Sequence, residues 1–383
     1  MKTNSQLSPE LADIHDGVVP TGARSFRSLM SLPVTEERKI VVPLLPEEGI
    51  ALLSGKPDCG KSMFARHFSL AVALKHEEFL GYKLCPRSGR VIYISTEDTE
   101  STTSAIFRKQ LGGLVPASVD DCSSSDERSP EAVGSRPTAH LELASQEFVR
   151  TTEVDLDLLF DDGNGPEALF VRLATELQKG PCDLVIIDSF GDAFTGKDSN
   201  SNSELRKALA PYHGLAMEHH VLILFLTHLT KSGYNQTPDQ RHVAGGAALA
   251  QKARVILQLE RELSGDTRLL CVTKGNGVPD EYKRQATRLF FDAVTCLYEA
   301  TGETVEIASV GKTTGRAIFI NWVSTFNGVL ELPKGEIERR IAASHGIKER
   351  RARHYIKEQL FNTRYGHYTY DGDFAASAQL AAI

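Results

Sequence analysis

Residues 50–70 read IALLSGKPDCGKSMFARHFSL, and the fold follows from how this stretch is divided. Ile50–Ser54 is apolar without alternation, the pattern of a strand covered on both faces. Gly55 to Ser62, GKPDCGKS, matches G-x-x-x-x-G-K-[ST], and helical spacing begins near Met63. Strand, glycine-rich loop and helix in this order make a phosphate cradle. The glycines let backbone N–H groups converge on phosphate oxygens, and the helix N-terminus adds partial positive charge. Lys61 is expected at the β and γ phosphates and the Ser62 hydroxyl on Mg²⁺. Gly55, Lys56, Pro57, Asp58, Cys59, Gly60 and Met63 complete the expected cradle, with Cys59 a small filler whose backbone does the binding.

Two further strand ends carry carboxylates. CDLVIID ends in Asp188, the expected second Mg²⁺ residue of a Walker-B strand. Many P-loop ATPases place a water-activating Glu at the next position, but here it is Ser189. The base is therefore sought elsewhere. RVIYISTEDTES (residues 90–101) is a strand buried on both faces that stops in Glu97 and Asp98. Glu97 is the expected base for in-line attack on the γ-phosphate. Asp98 is expected to turn away, because side chains alternate along an extended chain.

Outward from these motifs, further apolar runs (IVVPL, VLILFLTHL, RVILQLE, RLLCVT) alternate with helical stretches such as GPEALFVRLATEL. That alternation predicts βαβ units, hence an α/β fold with a mostly parallel sheet. RLFFD and TCLYEA read as a closing hairpin. Residues 112–140, rich in Ser, Asp, Pro and Gly, read as a disordered insertion.

The 383 residues suffice for two or three domains. Six dispersed cysteines without a CxxC pair argue against a disulfide framework or zinc site and for a reducing cytoplasm. No run of apolar residues predicts a membrane span, and the first residues lack the apolar core of a secretory signal.

The order of P-loop, VIYISTED, DLVIID, LILFLTHLTKSG and AGGAALAQKARVILQL resembles the RecA-fold ATPases of the plasmid RepA type, hexameric replicative helicases related to the DnaB family. The resemblance spans roughly residues 40–295. It implies a RecA-like core using ATP and Mg²⁺, assembled as a homo-oligomeric ring acting on single-stranded DNA or a duplex. It places a γ-phosphate sensor at His228. It implies a DNA-contacting loop after that strand, where Lys231 and Arg241 supply cations and Tyr234 and His242 stacking groups. It also implies that Lys274 reaches a neighbouring subunit's nucleotide. The arginine finger expected two residues later is replaced by Asn276; Arg254 or Arg284 could substitute.

Around that core the chain divides into an N-terminal arm (1–39), the ATPase domain (40–299), a linker (300–333) and a winged-helix-like segment (334–383). In the last, two helices flank Gly346 and YGHYTYDGDF reads as a β-wing. Between Lys334 and Arg364 nine basic residues oppose four acidic ones, a local +5 in a chain of −7. Such asymmetry fits phosphate-backbone binding, with Lys348, Arg350, Arg351 and Arg353 opening the recognition helix. A DNA helicase of a mobile element is the leading expectation. A RecA/KaiC-like switch and a nucleotide-dependent DNA-binding regulator are the alternatives, and a protein-binding role remains open for the C-terminal segment.

Overall fold

An apolar run with no polar alternation needs cover on both faces, and the computed structural model supplies it with helices above and below one large sheet. It describes residues 25–33, 37–114, 154–196, 201–234, 236–262, 265–311, 330–344, 348–350, 352–353, 362–364 and 367–370. In chain order come α1 (Phe26–Met30), β1 (Lys39–Val42), β2 (Leu45–Pro46), β3 (Gly49–Gly55), α2 (Lys61–Ala73), β4 (Glu78–Phe79), β5 (Tyr82–Leu84) and β6 (Val91–Ser95). Next are α3 (Glu100–Leu114), β7 (Leu156–Phe160), α4 (Pro166–Leu177), β8 (Leu184–Asp188), α5 (Phe190–Ala193), α6 (Asn202–Glu218) and β9 (Leu222–His228). Then follow α7 (Gly246–Lys252), β10 (Val255–Arg261), β11 (Thr267–Gly275), α8 (Asp280–Arg284), β12 (Gln285–Asp292) and β13 (Leu297–Glu306). The last are β14 (Leu330–Pro333), α9 (Lys334–Ser344), β15 (Asn362–Arg364) and β16 (His367–Tyr370). Helix α1 lies in a separate unit, Met1–Glu37, and is N-capped by Ser25, whose side chain accepts from Ser28 N–H.

The large sheet has nine strands in the order β13-β12-β11-β10-β3-β9-β8-β6-β7. From β10 to β7 every neighbour is parallel, whereas β11, β12 and β13 add on antiparallel. The α/β, mostly parallel expectation therefore holds. Alternate residues of one strand serve opposite cores. Ala51 and Leu53 join Phe64, Phe68 and Val72 of α2 on one face, while Ile50 and Leu52 meet Leu173, Leu209 and Leu249 of α4, α6 and α7 on the other. Demand from both faces explains why these strands read as continuous apolar runs.

The structure corrects several readings. IVVPL is not part of the parallel sheet: β1 belongs to a separate antiparallel sheet, β2-β1-β5-β4. Strand β7 and helix α3 had no sequence-based expectation. Gly112–Leu114 are helical, so they do not belong to the expected insertion; residues 115–140 lie outside the described residues. Of the two glycines there, Gly112 is buried in the helix and Gly113 is a packing residue. A Cβ on Gly113 would come within 2.8 Å of Thr295 and Leu297. Close by, buried Gln110 donates to the carbonyls of Met63 and Cys296 at 2.9 and 2.8 Å. Strand β13 runs to Glu306, beyond residue 299 and into the stretch read as linker. In the C-terminal segment β14, β16 and β15 form a three-stranded antiparallel sheet beside α9. Most of the second expected helix and the Asp371-Gly372 turn lie outside the described residues.

Helix α2 carries a buried histidine, His67, whose Nδ1 accepts from the Tyr298 N–H at 3.3 Å. Burial, with a smaller push from His76, lowers its pKa to about 4. The folded protein keeps this ring neutral, whereas the unfolded chain takes up a proton below the ordinary value of 6.5. Stability is therefore complete above about pH 6.5 and falls as pH drops toward 4, by up to ~3 kcal/mol from this group. Thermal unfolding followed from pH 7 to 5 should show this fall, and His67→Asn, which retains an acceptor, should flatten it.

Candidate nucleotide site

Parallel pairing places Gly55 opposite His228 and Ser95 opposite Asp188, so the ends of β3, β9, β6 and β8 lie on one edge. The phosphate loop leaves β3 there and enters α2. Gly60 has a left-handed φ of 97°, open to glycine without strain, and a Cβ on it would lie 2.1 Å from the Tyr298 hydroxyl. The Lys61 ammonium lies inside the loop, donating to the carbonyls of Lys56 at 2.9 Å and Gly55 at 3.2 Å. Pro57 and Asp58 face outward at the cavity mouth. Cys59 is buried with its thiol pushed up by burial, as suits an inert filler.

Three side chains that sequence reading missed brace the loop from behind. The Arg268 guanidinium donates to the Cys59 carbonyl at 2.9 Å, the Tyr298 hydroxyl donates to the Gly60 carbonyl at 2.9 Å, and Glu260 pairs with Lys56 at 3.2 Å. They come from β11, β13 and β10. A sequence signal existed only for Glu260, an acid closing an apolar run.

Facing the loop is a cavity of about 570 Å³, lined by Lys61, Ser62, Met63, Glu97, Asp188 and His228 among others. Asp188 is buried. Its carboxylate accepts from the Tyr93 hydroxyl at 2.7 Å and is hydrogen-bonded to Ser62. Burial pushes its pKa up, while the bonds from Tyr93 and Ser62 and the charge of Arg66 pull it down. Glu97 and His228 are half-exposed and meet at 4.0 Å between Oε1 and Nε2. Asp98 does not turn away: it lines the same cavity and accepts from the fully buried Arg66 at 2.5 Å. The chain bends as it leaves β6, so strand alternation no longer governs this position. Arg268 and Phe291 form another part of the wall, with the guanidinium 5.4 Å from the ring centroid.

A family model described as AAA domain matches residues 20–234, more than half of the chain. The chain belongs to the AAA domain family. No curated protein matches its sequence. Among solved structures this AAA domain protein is similar to one described as an ATPase domain, at 14% identity and a TM-score of 0.49, over 66% of this chain and 85% of that one. It is similar to a DnaB-like replicative helicase, solved for its interactions with primase, at the same identity and score. That match covers 66% of this chain and 59% of the helicase.

Other expected site residues of this AAA domain protein lie away from the cavity. The Lys274 ammonium donates to the carbonyls of Ala250, Gln251 and Ala253, closing the C-terminal end of α7. Lys231 is exposed on a 3₁₀ turn after β9, and Arg241 is held bidentately by Asp239 at 3.0 and 2.8 Å. Lys348 and Arg350 are exposed, and Arg351 lies outside the described residues. Arg353 donates two bonds, at 3.0 and 2.8 Å, to the buried Glu338. No helix among the described residues is long and apolar enough to cross a membrane.

The bracing predicts that Gly60→Ala, which must displace Tyr298 and occupy a left-handed φ, abolishes nucleotide binding. Tyr298→Phe removes the hydroxyl's bonds to the Gly60 carbonyl and Arg268 while keeping the ring, and its stability loss should stay near ~1–2 kcal/mol. Thermal unfolding and titration with a fluorescent nucleotide separate the two.

Proposed function

We propose that this chain is an ATP-hydrolysing RecA-fold motor acting on DNA, a ring-forming replicative-type helicase of a mobile element. The observation that carries this is the meeting of Glu97 and His228 over a cavity floored by the phosphate loop and Asp188. The Lys61 ammonium binds the β and γ phosphates. The half-exposed Glu97 carboxylate takes a proton from a water attacking the γ-phosphorus. The bond to the β,γ-bridging oxygen breaks, its electron pair remains on ADP, and orthophosphate forms. His228 donates to a γ-phosphate oxygen and senses its departure.

Ser62 and Asp188 would hold Mg²⁺, which when bound neutralises charge on the phosphate oxygens. One hydroxyl and one buried carboxylate, already hydrogen-bonded together, suit an ion that keeps waters and shares phosphate ligands.

DNA is assigned to the loop after β9, through Lys231 and Arg241, and to the basic C-terminal segment, read as a winged helix. Arg353 would contribute there by ordering the fold through Glu338, leaving Lys348 and Arg350 to meet phosphates. A nucleotide-dependent DNA-binding regulator with slow hydrolysis is the second reading. Asn276 in the place of a trans-acting arginine, and Lys274 committed to α7, favour it. Such an arginine is worth about 10³–10⁵ in rate where present.

Steady-state ATPase with and without single-stranded DNA, alongside the mass of the assembly under nucleotide, tests the proposal. DNA stimulation with strand displacement is expected; slow, DNA-independent hydrolysis would select the regulator. Lys61→Ala should lose ATP binding. Glu97→Gln should retain binding while turnover drops by about 10²–10⁴. Deletion of residues 334–383 should weaken DNA binding and spare basal hydrolysis.

A further inference from the structure

Among the described residues, the one ion-pair contact of Glu97 is His228 at 4.0 Å, so its own side chain is loosely held. Its two neighbours are fixed, each to a different element. Thr96 N–H donates to the Asp188 carbonyl at 2.8 Å. The Thr96 hydroxyl accepts from the Ser189 N–H at 2.9 Å, and its proton lies between the Asp188 carbonyl at 3.0 Å and the Asp192 carboxylate at 2.6 Å. Asp192 also accepts from the Ser189 hydroxyl at 3.1 Å. Thr96 thus joins the ends of β6 and β8 at the first turn of α5.

On the other side, Asp98 is tied to α2 through Arg66. Arg66 has no exposed surface, lies 5.6 Å from the centroid of the Tyr93 ring, and among the described residues its Nε and Nη1 have no hydrogen-bond partner. An arginine this deeply buried is retained at an energetic cost, and a positional role for its ion pair with Asp98 accounts for it.

We propose that Thr96 and Asp98 are positioning residues, a two-sided clamp that holds Glu97 between the Walker-B strand end and the phosphate-loop helix. The proposal rests on Glu97 being the base. Proton transfer in an in-line attack is sensitive to placement: an error near 1 Å costs about 10²-fold. Pinning residues 96 and 98 fixes the backbone of residue 97 and leaves its carboxylate free to engage water. The adjacent carboxylates thereby divide their work, Glu97 at the reaction and Asp98 at the scaffold.

The test is a double-mutant cycle in the full chain, reading kcat and KM for ATP, affinity for a fluorescent ATP analogue, and melting temperature. Thr96→Val keeps the side-chain shape and loses the hydroxyl. It should lower kcat by about 10–100-fold with KM and analogue affinity within about twofold. Thr96→Ser should restore most of the rate. In a Glu97→Gln background, Thr96→Val should cost less than about twofold, since its effect runs through Glu97. Asp98→Asn should behave alike, and Asp98→Glu, which keeps a charge for Arg66, serves if that variant does not fold. Wild-type kcat in Thr96→Val, or an undiminished loss in the Glu97→Gln background, overturns the clamp while the ATPase reading stands. Full turnover by Glu97→Gln alone overturns the base assignment and the clamp with it.

Discussion

The backbone ladder that sets Gly55 opposite His228 and Ser95 opposite Asp188 underlies every feature of the site. Parallel strands send their carboxyl ends to one edge, and the helices that return the chain occupy the faces. Once β3, β9, β8 and β6 are in register, the phosphate loop, His228 and both carboxylate-bearing ends lie along that edge. A one-residue slip of any of these strands would exchange its two buried faces, and both cores oppose that. Packing of Ile50 and Leu52 against one helical layer, and of Ala51 and Leu53 against the other, thus also aligns the chemistry.

The second dependence runs sideways. A phosphate loop is a bend held open around its own N–H groups, and here its outer carbonyls are occupied by Arg268 and Tyr298 from the antiparallel part of the sheet. Strands β11 to β13 are therefore more than an extension of the core. Tyr298 joins the loop to α2 as well, donating its hydroxyl to the Gly60 carbonyl and its N–H to His67. One residue thus touches both the cradle and a buried histidine.

Much of this was legible in the chain. The phosphate loop reads directly because its chemistry is local: glycine, lysine and serine act within eight residues, between a strand and a helix whose patterns are unambiguous. The strands ending in Asp188 and His228 were equally plain, since two buried faces demand unbroken apolar runs. Helix α3 escaped because its polar residues dilute the helical period, and Gly112 and Gly113 imitate a loop, although Gly113 packs closely against Thr295 and Leu297. Strand β1 resembled the others because four apolar-leaning residues do not reveal which sheet they join.

By itself, then, the sequence determined the α/β class, the phosphate loop and the ends of the chemically important strands, because each rests on residues close in the chain. Only the tertiary structure decided their partners. It brought Arg268 and Tyr298 to a loop some two hundred residues earlier, turned Lys274 onto the end of α7, and committed Arg353 to Glu338. It also separated Glu97 from Asp98. As letters they are adjacent and alike, and alternation suggested opposite directions. In space both face one cavity, and a buried arginine from α2 claims one of them. Neutralising that arginine is a demand of the folded interior, and no local pattern in the chain announces it.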